Sequence, residues 1–200
     1  MNDWTTPPFL AGLRVRLEPL QPQHAAALGD AAADGELWNL GYTSVPGPGT
    51  EAAYIDHALA QQAEGEALPF VVLDSDGVVV GSTRFYALDP KVPRLQIGYT
   101  WYARRVQRTG LNTEAKLLLL RYAFENLQCN CVGFETSGRN GASRTAIAGL
   151  GAKLDGVLRS HRLQPDGSVR DTVAFSIIRV EWPEVRQHLN AKLERHAHAI

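Results

Sequence analysis

Three arginines and a glycine stand close together in the middle of the chain. They lie in the run Trp101-Tyr102-Ala103-Arg104-Arg105-Val106-Gln107-Arg108-Thr109-Gly110-Leu111-Asn112-Thr113-Glu114-Ala115. A strand-like stretch precedes the run and a helical pattern follows it. Ala115, Leu118, Leu119 and Tyr122 fall at i, i+3, i+4 and i+7, and Leu117, Leu120 and Phe124 widen the apolar face. The open end of such a helix carries unpaired backbone N–H groups and the positive end of the dipole, and both favour an anion. Gly110 lets backbone approach that anion closely, and Arg104, Arg105 and Arg108 can add charge-assisted contacts. A pyrophosphate is the natural ligand. A plain strand–turn–helix with solvated arginines would show the same pattern, so the rest of the chain has to decide.

The elements that must position this loop follow from the surrounding pattern. Arg94 to Tyr102 reads as the third strand of a meander, after Phe70–Leu73 and Val78–Ala87, which an Asp76-Gly77 hairpin turn joins. Upstream, Leu13, Val15 and Leu17 alternate with charged residues in a half-buried strand that Pro19 ends. Pro22 opens an Ala-rich helix through Ala33, Glu36 to Gly49 is a loop carrying Trp38 and Tyr42, and Thr50 caps a helix over Glu51–Ala63. Downstream, Cys131 to Thr136 is a strand, and Asn140 begins a short helix that stops at Gly151. Val157–Leu163 and Val169–Ile178 form a hairpin around Pro165-Asp166-Gly167, and a helical tail follows. The order β, α, α, βββ, α, β, α, ββ predicts a mixed sheet, antiparallel in the meander and parallel across the strand–helix–strand unit from Arg94 to Thr136. With no repeat or linker, the expectation is a single domain over residues 1–200, its core about 13–178 and a helical tail at 183–200.

Composition narrows the function. Of 200 residues, 44% are apolar and 20% charged, and the formal net charge of −1 supplies no basic field for nucleic acid. No apolar stretch reaches the length of a membrane span, and Met1 to Phe9 does not read as a signal peptide, so a cytoplasmic protein is expected. Cys129-x-Cys131 offers too few ligands for a closed zinc site, and alternate positions on one strand disfavour a disulfide. Two reduced thiols and no metal are expected.

Gln107 to Asn112 resembles the acyl-CoA loop of the GNAT acetyltransferases, Gln/Arg-x-x-Gly-x-Gly/Ala. Ile97-Gly98-Tyr99, Gly110-x-x-Thr113-Glu114-Ala115, Tyr122-Ala123-Phe124, Asn140-x-x-Ser143, Leu150-Gly151-Ala152, Asp155 to Arg159 and Asp166-Gly167…Asp171 are similar to the Rim-type branch, the ribosomal-protein N-terminal acetyltransferases. The resemblance runs from about Leu13 to Ile178. It implies an α/β GNAT fold with a mixed, splayed central sheet of about six to seven strands flanked by helices. Arg94–Tyr102 and Cys131–Thr136 would separate to admit the pantetheine arm of acetyl-CoA. The pyrophosphate would sit on Arg105, Val106, Gln107, Arg108, Thr109, Gly110, Leu111, Asn112 and Thr113, with Asn140 and Ser143 near the thioester. Asn112 departs from the pattern's Gly or Ala, though it can cap the helix.

The implied reaction is N-acetylation of a primary amine, foremost an α-amine of a peptide, protein or amino acid. A small-molecule amine acetyltransferase and a non-catalytic acyl-CoA sensor are the alternatives, succinyl-CoA is an alternative donor, and a homodimer is left open. A backbone N–H near Tyr99 to Trp101 can polarise the carbonyl. Where many GNAT enzymes carry a base Glu, this chain has Gln96, which cannot take a proton. His161 and Glu135 are then the candidate bases, with a water chain as the remaining option. Ser143 either donates to the leaving thiolate or caps the short helix. Trp38, Tyr42, Gln96 and Tyr99 are read as acceptor-site residues.

Overall fold

A computed structural model of the chain describes residues 3–39, 44–164 and 167–198. Strands β1 (Leu10–Ala11), β2 (Val15–Pro19), β3 (Ala67–Asp74), β4 (Val79–Asp89), β5 (Arg94–Tyr102), β6 (Cys131–Ser137), β7 (Lys153–Leu163) and β8 (Val169–Ile178) form one sheet, in the order β1-β2-β3-β4-β5-β6-β8-β7. The helices are α1 (Ala25–Ala33), α2 (Glu51–Ala63), α3 (Leu111–Arg121), α4 (Gly141–Ala148) and α5 (Trp182–His198). The expected mixed sheet is present. It is antiparallel from β1 to β5, parallel only between β5 and β6, and antiparallel again through β8 and β7.

The sheet has eight strands rather than six to seven, because β1, only two residues long, pairs Leu10 with Leu17 and Ala11 with Arg16. Leu13 is a second correction: it is 85% exposed and lies in the turn between β1 and β2, so the half-buried alternation begins at Val15. The Ala-rich helix is broken, with a 3₁₀ turn at Pro22–His24 before α1. Thr50 does precede α2, but its hydroxyl donates to the Gly47 carbonyl at 2.8 Å and makes no cap bond. β7 starts at Lys153, four residues before the expected Val157, because pairing with β8 already begins at Lys153↔Ser176 and runs through a bulge between Leu154 and Gly156. Both cysteines are free thiols; Cys129 lies just before β6, where burial raises its pKa to about 12.

Helix α3 is the centre of the core. Nine of its eleven residues are buried, from Leu111 to Leu120 with only Asn112 excepted. A helix covered on all sides needs a second layer, and α5 supplies it through Trp182, Val185, Leu189 and Leu193, spaced at three or four residues. Each fully buried leucine here contributes roughly 1.5–3 kcal/mol of transfer free energy. Successive residues of β4 point to opposite faces: Thr83 meets Lys116 of α3, and Arg84 meets Tyr54 and Gln61 of α2. The sheet is therefore sandwiched at β4, with α3 on one side and α2 on the other.

Candidate active site

β5 and β6 pair only at Arg94↔Cys131, Leu95↔Val132 and Gln96↔Gly133. Beyond Gln96, β5 has β4 on one side and, among the described residues, no strand on the other, while β6 continues to Ser137 beside β8. The two strands are parallel, so the loop after β5 and the helix α4 after β6 emerge at the same end of the split. Ligands of α/β sheets bind at such carboxyl-end crevices.

The loop after β5 is firmly built. The N–H groups of Arg104 and Arg105 donate to the Asp34 carbonyl and carboxylate, and those of Val106 and Gln107 to Ala103 and Arg104 carbonyls. Gln107 Nε2 ties the loop back to the Tyr102 carbonyl at 2.9 Å, and the Thr109 hydroxyl donates to the Val106 carbonyl while accepting from Leu111 N–H. Arg108 turns the chain with φ +62°. Arg105 is directed to Asp34 and Asp74, at 3.4 and 4.0 Å. By contrast, the backbone N–H groups of Gly110, Asn112 and Thr113 have no partner among the described residues. They are the orphan donors of the first helical turn, and they meet the requirement of an anion.

Two readings of this loop change. Gly110, not Asn112, stands at the N-cap, and Asn112 lies inside the first turn without a cap bond. Gly110 has ordinary helical angles, and an added Cβ would meet the Arg14 side chain at 3.1 Å and Leu193 at 3.5 Å. Its small size thus serves packing of the helix head against the N-terminal turn and α5. Glu114 fixes that same head: its carboxylate accepts from Leu13 N–H at 3.0 Å and Arg14 N–H at 2.6 Å. The signal for this role in the sequence is an acidic residue in a first helical turn.

On the sheet face at the top of the split, Gln96 and Glu135 come together. Tyr86 OH donates to Gln96 Oε1, Gln96 Nε2 donates to Glu135 Oε1 at 3.3 Å, and Arg162 pairs with Glu135 Oε2 at 3.0 Å. Two glycines make room: a Cβ at Gly98 would lie 2.6 Å from the Tyr86 ring, and one at Gly133 would lie 3.2 Å from Gln96. Burial and the Glu135 charge raise the Tyr86 pKa, so its hydroxyl remains a donor. Tyr99, at φ +51°, packs edge-on to Tyr86, and the Arg84 guanidinium lies 4.1 Å from its ring centre. Tyr54 completes this wall: its hydroxyl accepts from Trp101 Nε1 at 3.2 Å, and the Arg84 guanidinium lies over its ring, 5.4 Å from the centre. Tyr54, Arg84 and Tyr86 were not singled out from sequence, because only strand pairing and helix packing bring them to β5.

The remaining candidates are more dispersed. His161 is exposed on β7 and its Nδ1 lies 3.1 Å from Thr172 Oγ1. Asn140 is the true cap of α4, accepting from Ser143 N–H at 2.9 Å; Ser143 contributes its backbone, and its half-buried hydroxyl is left over. Trp38 is half-buried in a 3₁₀ turn, where it packs against the core and Gly47. Tyr42 lies outside the described residues.

The residues present fit an acyl-CoA: free donors for a diphosphate at the helix head, and a gap between two parallel strands for an extended arm. Comparison with known proteins agrees. The profile described as "Acetyltransferase (GNAT) domain" matches residues 14–153, well over half of the chain. YdaF of Bacillus subtilis (strain 168), provisionally named a ribosomal N-acetyltransferase, is 32% identical over 107 residues, which cover 54% of this chain and 57% of that protein. The match therefore spans little more than half the length of that curated relative. A GCN5-related N-acetyltransferase from Brucella melitensis superposes with a TM-score of 0.81 at 30% identity, covering 93% of this chain and 85% of that one. Mycobacterium smegmatis RimJ in complex with CoA-disulfide gives a TM-score of 0.78 at 25% identity, over 93% of this chain and 95% of that one. Split sheet, helix head and profile converge, and the chain belongs to the GNAT acetyltransferase family.

Proposed function

We propose that the protein moves an acetyl group from acetyl-CoA to a primary amine, foremost the α-amine of a peptide, protein or amino acid, in the cytoplasm and within one domain. The observation that carries this reading is the split beyond Gln96, with the unpartnered N–H groups of Gly110, Asn112 and Thr113 at its open end. The RimJ structure, which holds a CoA disulfide, supports the same use of the split.

In this reading the backbone from Val106 to Thr113 holds the pyrophosphate, and Asn140 and Ser143 stand beside the pantetheine and thioester. Acetyl-CoA supplies a thioester carbonyl open to attack. The amine nitrogen forms the new C–N bond, the C–S bond breaks with its electron pair going to sulfur, and one proton leaves nitrogen while one reaches sulfur. The Ser143 hydroxyl is the group assigned to donate to sulfur. Trp38, Gln96 and Tyr99 are assigned to the acceptor side, as is Tyr42 from its sequence position alone, and Glu135 and His161 are the titratable groups assigned as candidate bases. Both Glu135 oxygens are engaged, by Gln96 and Arg162, which favours an acceptor that arrives already partly deprotonated.

Calorimetry with acetyl-CoA, followed by mass spectrometry of a peptide library incubated with both, tests the proposal. Tight binding and N-terminally acetylated peptides are expected. Binding without turnover would establish a sensor, acetylation of small amines alone would establish the small-molecule enzyme, and failure to bind acetyl-CoA would remove the cofactor assignment.

A further inference from the structure

Lys116 lies in the middle of α3, in the otherwise apolar run from Ala115 to Leu120, and is only 6% exposed. Its ammonium reaches the sheet, donating to Thr100 Oγ1 at 2.7 Å and to Thr83 Oγ1 at 3.4 Å. The two hydroxyls lie 2.7 Å apart, and each is 3.4 Å from the Gly98 carbonyl oxygen. These residues bracket an irregularity in β5. Ser82 pairs with Trp101 and Arg84 with Gly98, so Thr83 faces two residues, Tyr99 and Thr100, and Tyr99 takes the left-handed conformation. That is a bulge, a device that bends a strand and re-aims its groups. It sits on the stretch of β5 that has lost β6 as a partner.

No carboxylate pairs with Lys116 among the described residues, and burial alone depresses its pKa to about 7. A buried cation without a counter-ion works against stability, and an apolar side chain of similar volume would pack the site at less cost. What an ammonium does that a methyl cannot is bind several hydroxyls at once across two strands.

We infer that Lys116 is a positioning residue: through Thr83 and Thr100 it fixes the bulged segment Gly98–Thr100 of β5, and with it the strand edge against which the thioester is held. The identity of the group held rests on the acetyl-transfer reading; the pinning of the bulge does not.

Lys116→Met keeps the volume and removes the donors. Acetyl-CoA affinity should stay within about twofold of wild type and the melting temperature should hold or rise, while kcat falls about tenfold or more. Hydrogen exchange of the β5 backbone from Ile97 to Tyr102 should speed up. Thr100→Val should reproduce the kcat loss, and the double variant should be no worse than either alone, as expected of groups acting as one unit. Unchanged β5 exchange together with unchanged kcat would overturn the inference, as would a parallel fall of kcat, affinity and melting temperature, which marks a packing role. Faster β5 exchange in a protein whose wild type transfers no acetyl group would uphold the pin and sink the acetyl-transfer reading.

Discussion

The head of α3 and the Gln96–Glu135 face lie at the same split but are built in opposite ways. At the head of α3, the N–H groups of Gly110, Asn112 and Thr113 have no partner among the described residues, and the surrounding loop is braced by its own hydrogen bonds. On the Gln96–Glu135 face, each polar group is already engaged by the next, from Tyr86 through Gln96 and Glu135 to Arg162. An unsatisfied rigid donor set is ready for a fixed anion at little reorganisation. A closed chain of side chains offers an incoming amine no free base. Under the proposed function, the difference teaches that the cofactor seat would be pre-formed, whereas acceptor chemistry would lean on the acceptor's own basicity.

The largest effect that could break this contrast concerns the acceptor. An α-amine with a pKa near 8 is about a tenth neutral at pH 7, and a lysine side chain near 10.4 only about 0.04%. N-terminal amines should therefore be acetylated about a hundredfold faster than lysine side chains at pH 7, with the gap closing as pH rises toward 10. Competition assays read by mass spectrometry measure it. Faster lysine acetylation would refute the contrast, and so would a loss of about a hundredfold or more in Glu135→Gln or His161→Gln with a wild-type inflection near pH 6–7, the mark of a dedicated base.

A smaller effect sharpens the other half. Asn112→Pro removes one unpartnered N–H at a first-turn position, where proline is tolerated. Losing one charge-assisted bond, worth about 1.5–3 kcal/mol, should weaken acetyl-CoA binding roughly 10- to 100-fold with little change in melting temperature. Unchanged affinity in calorimetry would mean the phosphates rest elsewhere.

The smallest effect is thermal and concerns the lysine between the two regions. Its folded pKa of about 7 lies below the unfolded value of 10.5, so below pH 7 both states are charged and the burial penalty is fully present. Between pH 7 and 10.5 the unfolded chain binds more protons and the penalty fades. Wild type should thus gain on Lys116→Met as pH rises from 7 to 10, by at most roughly 4 kcal/mol and by a few degrees once relaxation is allowed for. Parallel melting curves across that range would show that Lys116 does not carry a depressed pKa.

What could be read beforehand, and what could not, follows from the range of the interactions. The α3 face and the β5 boundaries were legible because Leu117 to Leu120 and Arg94 to Tyr102 carry their own periodicity. Gln96 and Glu135 could be named as candidates, yet their mutual hydrogen bond depends on the parallel register Gln96↔Gly133, which no local pattern encodes. Leu13 was misplaced because alternation alone cannot see Glu114 capturing its N–H from 101 residues away. Arg84 and Lys116 were not singled out. For Lys116 a signal existed, a single cation inside a six-residue apolar run, which implies burial on every side.

The bonds from Glu114 to Leu13 and Arg14 span 101 and 100 residues of sequence. Contacts of such separation slow folding, because a long loop must close before they reward it. A chain leaving the ribosome at about 5–20 residues per second would hold its N-terminal turn without a partner for roughly 5–20 seconds. The loop that the proposal assigns to the diphosphate is braced only when that turn docks, so the head of α3 cannot mature until the chain through Glu114 has emerged.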